Sequence, residues 1–290
     1  MIHAASPHDT IPRIERIVVI AAQGAGHEVS GIDFPEIDIT RIESIRPVLK
    51  PGQFDAVINS AAFTAVDACE KEVERAFSVN AAGAGNLALA ARESGSVFVH
   101  YSTDYVFDGT GTRPYVESDA TNPASVYGKS KLEGERLVQA GNERSFIFRI
   151  AWLYGLHGGN FVKTIRGAAE KNAQTGTPLR VVNDQYGSPT WTVDVCRQTL
   201  RMLDTSSYGL YHATSEGVCT WFDFTVEILN AAGISAEVVP CSTAEFPRPA
   251  PRPLYSVLEN AGLKRLGLNL MPDWEKAFSA YTEQERQKRG

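Results

Sequence analysis

Three short apolar runs, separated by long stretches of helical periodicity, leave this chain few ways to fold. "FDAVINSAA" (54–62), "SVFVHYST" (96–103) and "SFIFRIAWLYG" (145–155) carry the β-branched and aromatic residues that suit buried strands. Between them, "CEKEVERAFSVNAAGAGNLALAARESG" (69–95) spaces its apolar residues as a helix does and closes on Gly95, a natural C-cap. "YGKSKLEGERLVQA" (127–140) repeats the helical spacing. Strands alternating with long helices predict βαβ units and an α/β fold: a parallel sheet covered on both faces. Ligands of such sheets bind beyond the C-terminal strand ends, which here read "NSAAFT", "YSTDYVF" and "RIAWLYG".

After about residue 156 the pattern loosens. Helices are expected over 159–172, 192–203 and 220–233, the last with a threonine N-cap, and strand-like segments over 179–190 and 209–217. "FPRPAPRPLYSV" (246–257) holds too many prolines for a regular helix and reads as an extended loop. With 290 residues, 43% of them hydrophobic and 21% charged, the chain is long enough for one large domain or two modest ones. The net charge of −6 gives no footprint for nucleic acid, so an anionic substrate would need a local cluster of Arg and Lys. No apolar run approaches the ~20 residues of a membrane span, and no secretion signal is evident. Cys69, Cys196, Cys219 and Cys241 are scattered without a CxxC pair, which predicts buried thiols in a reducing, cytoplasmic setting and no metal site.

Tyr127 and Lys131 stand four apart at the start of the second long helix, so they share a face. Reduction of a carbonyl requires a hydride and a proton. A tyrosine can give that proton if a nearby ammonium lowers its pKa from ~10. A hydroxyl at the end of the adjacent strand, Thr103 or Ser102, could hold the substrate oxygen. The spacing alone is weak, since tyrosine and lysine meet this way in many helices. His100 and His212 have no partner at ligand spacing and read as structural, and "CEKEVE" reads as a solvated helix face.

The surroundings sharpen the pattern. "HYSTDYVFDG" followed by "PYVESDATNPASVYGKSKLEGE" resembles the extended short-chain dehydrogenase/reductase family. "VINSAAFTAVDACEKE", "FRIAWLYG", "GNFVKTIR", "VVNDQYGSPT" and "RPAPRPLYSVL" are similar, in order and spacing, to its dTDP-4-dehydrorhamnose reductase branch, over roughly residues 27–275. The resemblance implies a Rossmann-type doubly wound sheet over 1–155, rejoined by about 184–212, and a smaller mixed α/β substrate domain within 156–290. It implies NADPH or NADH as cofactor and reduction of the C4 keto group of dTDP-4-dehydro-6-deoxy-L-mannose, in a monomer or homodimer. Tyr127 would be the acid, Lys131 its pKa tuner and ribose ligand, Thr103 the partner of the keto oxygen, and Asp104 an aid to orienting the sugar. Asp38 and Ile39 would meet the adenine, while Ser60, Ala61, Ala62 and Thr64 would form the loop against the cofactor. Val66, Trp152, Asn160, Phe161 and Gln185 would handle the nucleotide sugar, and Arg252 its diphosphate. Trp152 could equally be core, Asn160 and Gln185 loop caps, and Arg252 solvated.

One departure stands out. Dinucleotide folds place pyrophosphate at a helix N-terminus under a glycine-rich turn, where side chains would block the phosphates. No such turn occurs here. In one threading "MIHAAS" is strand 1, "PHDTIP" the loop, and Ile14, Ile17, Val18 and Ala21 the stripe of helix 1. In the other, "RIVVI" is strand 1 and "AAQGAG" a remnant of the loop, leaving only a few residues for a crossover that needs about a dozen. Asp33 ends strand 2, where a carboxylate commonly meets the ribose 2′-hydroxyl. The missing glycines favour a rival reading, a non-catalytic homologue acting as a binding or regulatory subunit. A third keeps catalysis but alters it to another nucleotide-sugar reduction or epimerisation.

Overall fold

The computed structural model describes residues 2–5 and 22–289. Its main sheet has six parallel strands: β1 (Ile2–Ala5), β2 (Ser30–Asp33), β3 (Ala56–Asn59), β4 (Val97–Thr103), β5 (Ser145–Ile150) and β6 (Gly209–His212). Their order across the sheet is β6-β5-β4-β3-β1-β2. The chain therefore runs outward from β1 to β2, then returns and runs the other way from β3. The reversal lies between β1 and β3, the place where open α/β sheets bind ligands.

β1 settles the threading. "MIHAAS" supplies strand 1, with Ile2 beside Ser30 on one side and Val57 on the other. "RIVVI", the other candidate for strand 1, lies outside the described residues. Ala22–Gly24 are helical and Ala22 is fully buried. The glycine-less loop 7–12 and the stripe Ile14, Ile17, Val18 and Ala21 lie outside the described residues.

Both faces of the sheet are covered. On one, α1 (Ala84–Ser94) and α2 (Val126–Gly141) pack Leu87, Ala88, Ala91 and Val138 against Val57, Phe98 and Ile147. On the other, Val195, Cys196 and Met202 meet Ile58, Val99, Phe146 and Phe148. A separate core forms around Tyr154, Phe224, Trp274, Phe278 and Tyr281, close to a two-stranded parallel pair, Leu179–Val182 with Val238–Cys241. The helices Phe161–Thr175, Trp221–Ala232 and Trp274–Arg289 contribute to this core. Gly95 caps α1 in the left-handed conformation, with φ 81°. All four cysteines are buried.

Two expected elements are broken. The helix foreseen over 69–95 runs as Val66–Cys69, Val73–Phe77, a wider π-helical stretch Ser78–Gly83, and α1. The strand foreseen over 145–155 stops at Ile150, turns at Trp152 with φ 47°, and resumes as Leu153–Tyr154 paired with Thr190–Trp191. The bulge over 78–83 has a steric partner: a Cβ on Gly134 of α2 would sit 2.2 Å from the Asn80 carbonyl oxygen. Asn80 itself is tied down, its side chain bridging Phe63 N, Phe63 O and Ser130 Oγ. Neither backbone can yield cheaply. Gly134→Ala is expected to destabilise the protein by about 2 kcal/mol or more, read as a lower Tm, although alanine is the better helix former.

Candidate active site

β3, β4 and β5 all end on one cavity of about 380 Å³. β3 delivers Asn59 and the turn Ser60-Ala61-Ala62, β4 delivers Ser102 and Thr103, and β5 delivers Ile150 and Ala151. Tyr127 and Lys131 project from the first turns of α2 into the same space, with Thr64, Val66, Asp104, Trp152 and Gln185 around it. α2 starts here because Ser125 caps it, accepting from Gly128 N, and Glu70 accepts from Val126 N. Gly128 is required: a Cβ there would lie 2.2 Å from the Tyr105 carbonyl.

Thr103 is the hub. Its hydroxyl donates to Asp104 Oδ1 at 2.9 Å, accepts from Tyr105 N at 3.2 Å, and shares a hydrogen bond with the Tyr127 phenol. The Ser102 hydroxyl donates to Glu135 at 2.5 Å. Burial pushes the Tyr127 phenol well above its ordinary pKa, against the opposing Thr103 hydrogen bond, and Asp104 and Tyr105 add to the rise. The Lys131 side-chain nitrogen lies against the Tyr101 carbonyl at 2.5 Å and His100 Nε2 at 3.2 Å. Burial lowers Lys131 itself to about 8.

Asp104 is buried, and its Oδ2 has no partner among the described residues. Burial raises its pKa to about 6, although Ser256 and Thr103 favour the charged form. The native state therefore holds this proton more tightly than the unfolded chain. The resulting stability is fully present below the ordinary pKa of ~3.9, falls as pH rises, and is gone above about 6. Asp104→Asn is expected to flatten that loss, making the variant relatively more stable at pH 8 than at pH 4, as parallel urea melts at the two pH values would show.

Other anticipated residues have definite places. Trp152 stacks on Trp221 with ring centroids 3.5 Å apart, and Phe161 packs on the same indole at 4.2 Å. Gln185 donates to Thr243 while lining the cavity. Asn160 serves as the N-cap of Phe161–Thr175 and donates to Gly155 O. Arg252 is not solvated: it pairs with Asp67 at 3.0 Å and donates to Ala250 O. Asp38 accepts from Thr40, and Ile39 is buried against Gly83. Asp33 closes β2 beside Ala5 and accepts from Phe34 N. His212 is structural as read, facing Glu259 O and kept neutral by burial and by Arg149.

A second cavity of about 420 Å³ shares Gln185 and Trp221 with the first and adds Arg180, Arg248 and Phe246. These two arginines and Trp221 were missed as site residues. The signals were present in "PRPAPR" and "TWFDF", but nothing in the spacing tied these loops to α2. Arg180 is paired with Glu245 and Arg252 with Asp67, while Arg248 lies over the Phe246 ring at 5.7 Å. Among the described residues no group of three or more His, Cys, Asp or Glu is placed to hold a metal, and no helix is long and apolar enough to cross a membrane.

A doubly wound parallel sheet whose β3–β5 ends face a Thr/Tyr/Lys set defines a short-chain dehydrogenase/reductase of the extended type. Residues 16–287 match the RmlD substrate binding domain family. The chain belongs to that family, whose named members include dTDP-4-dehydrorhamnose reductases. The dTDP-4-dehydrorhamnose reductase of Burkholderia thailandensis is 38% identical over 260 residues, covering 83% of this chain and 86% of that protein. The crystal structure of one from Clostridium acetobutylicum is 41% identical with a TM-score of 0.92, covering 99% of this chain and all of that one. The Bacillus anthracis enzyme, solved in complex with NADP, is 33% identical with a TM-score of 0.91, covering 98% and 99%.

Proposed function

We propose that this protein reduces the C4 keto group of dTDP-4-dehydro-6-deoxy-L-mannose to give dTDP-L-rhamnose, using NADPH or NADH. The observation that carries the assignment is the Thr103–Tyr127 pair, with Lys131, at the wall of a cavity continuing into an arginine-lined one. A nicotinamide cofactor, as in the NADP complex of the Bacillus anthracis relative, would supply the hydride when bound. The chain fits such a group: Ser60, Ala61 and Ala62 present small side chains at the strand reversal, and Lys131 is within the same cavity for the ribose. Asp33, Asp38 and Ile39 lie on the β2 side, where the adenine half would extend.

The protein's own part is positioning and proton delivery. Thr103 turns its one hydroxyl hydrogen from Asp104 to the keto oxygen, Tyr127 gives that oxygen a proton, and Asp104, with its open Oδ2, accepts from a sugar hydroxyl. Trp152, Phe161 and Trp221 form an apolar wall for the base or sugar, with Val66, Asn160 and Gln185 nearby. Arg248, and Arg252 and Arg180 on exchanging their Asp67 and Glu245 partners, would meet the diphosphate as planar donors. We read residues 1–155 with about 184–212 as the cofactor-binding unit and the rest of 156–290 as the nucleotide-sugar unit. The intact Thr103, Tyr127 and Lys131 set supports an enzyme over the non-catalytic homologue. The test is oxidation of NADPH by the purified protein with dTDP-4-keto-6-deoxy-L-mannose. Turnover well above a Tyr127→Phe control is expected. Absence of both turnover and NADPH binding would restore the non-catalytic reading.

A further inference from the structure

The arginine-lined cavity also holds a carboxylate. Asp67, on the single helical turn Val66–Cys69, lines it together with Arg180, Arg248 and Arg252. A negative charge on the wall of an anion pocket opposes its ligand, so the contacts of Asp67 have to account for it. Its Oδ1 lies 3.0 Å from Arg252 Nη2 and accepts from Ala250 N at 3.2 Å. Arg252 Nη1 donates to the Ala250 carbonyl at 3.1 Å, which closes the three residues into a ring. The guanidinium is therefore already engaged through both terminal nitrogens, the two it would use to grip a phosphate. Both side chains keep some solvent contact, 19% for Arg252 and 34% for Asp67, so the pair can open without stranding a buried charge. Arg180 is held less firmly. Its partner Glu245 is half-exposed, as Arg180 is, and pairs of that kind contribute little.

We propose that Asp67 is a built-in counter-anion: it occupies Arg252 in the ligand-free protein, yields it to an arriving diphosphate, and so sets how tightly nucleotide diphosphates are held. The proposal deepens the reductase reading, on which the identity of the diphosphate rests. On exchange Arg252 leaves Asp67 and the Ala250 carbonyl for oxygens of the ligand, while Asp67 keeps the Ala250 N–H. One charge-assisted pair replaces another, so the ligand gains only the difference between them. An arginine held by water alone would bind the anion more tightly. Moderate affinity suits an enzyme whose product carries the same diphosphate as its substrate and has to leave. The exchange takes place close to the acid. Asp67 and Arg252 both act on the Tyr105 phenol, and the Tyr105 ring packs edge-on against Tyr127.

The test is calorimetric titration of the whole protein, without cofactor and at about 0.15 M salt, with dTDP and with inorganic pyrophosphate. Asp67→Asn keeps an acceptor for Ala250 N and removes the charge, and is expected to bind both anions about fivefold more tightly than the wild type. Arg252→Gln should bind them about tenfold more weakly. With Arg252→Gln already in place, Asp67→Asn should change affinity by about twofold or less, because the competition it relieves is gone. Unchanged or weaker binding by Asp67→Asn, or a full gain in the absence of Arg252, would overturn the proposal. If Asp67→Asn fails to fold, Asp67→Ser is judged by the same outcomes. The expected pattern with pyrophosphate but no binding of dTDP would sink the nucleotide-sugar reading and leave the counter-anion standing. Binding of neither anion to any variant would overturn both.

Discussion

Replacing Tyr127 with Phe is expected to lower kcat by about 10²–10⁴-fold, with KM for the nucleotide sugar little changed. The phenol stands on the α2 side of the cavity, and Thr103, whose one hydrogen goes to Asp104 until a keto oxygen takes it, can hold that oxygen but is not its acid. Without Tyr127 the keto oxygen retains a hydrogen-bonding neighbour but loses its proton source. Folding should not suffer, because the ring still packs edge-on against Tyr105, with centroids 5.5 Å apart. Steady-state kinetics beside a thermal melt separate the outcomes. A loss of kcat with unchanged Tm fits an acid; a matched loss of both would mark Tyr127 as structural.

The largest stability effect is expected at the buried pair of Glu135 and Arg149. The two make parallel hydrogen bonds of 2.8 Å at 4% and 3% exposure, and Glu135 also accepts from Ser102. Arg149 additionally lies over the Phe107 ring at 5.1 Å. Removing one charge strands the other without water, a cost of about 3–5 kcal/mol, whereas replacing both by apolar residues costs much less. Glu135→Ala should therefore drop Tm by about 10 °C, and Glu135→Leu with Arg149→Met should recover most of it. Equal melts for single and double replacements would refute the argument. The pair sits directly behind Ser102 and Thr103, so the single variant should also blur the strand end that positions the hydroxyl.

Apolar runs revealed β3, β4, β5 and β6, while β1 and β2 hung on the choice of threading, which pairing on both sides of Ile2–Ala5 resolved. Such runs could not reveal the break at Trp152, because "IAWLYG" holds no charged residue to interrupt the run and a positive φ leaves no mark on hydrophobic spacing. The wider turns of 78–83 were hidden for a similar reason: a run of alanine and glycine suits several helical geometries. Tyr127, Lys131 and Thr103 were legible as a set only because the family resemblance picked the same three residues that the weak spacing suggested, and the three do line one cavity. The rotamer of Lys131 was not, since it depends on His100 and Tyr101, whose positions only the folded sheet defines. Arg252 was legible as a cation, but its partner Asp67 lies far along the chain and no spacing rule connects them.

Trp152 carries a lesson for anyone hoping to make this protein hardier. A tryptophan at φ 47° invites exchange for glycine, which occupies that backbone region at no steric penalty and relieves about 1–3 kcal/mol of strain. Yet the same indole stacks on Trp221 and lies so close to Gly187 that a Cβ there would come within 2.3 Å of it. The exchange would trade a slab of the cavity wall for a relaxed peptide. Thermostability campaigns scored on melting alone would select for it and return a sturdier protein with a hole where its ligand should rest.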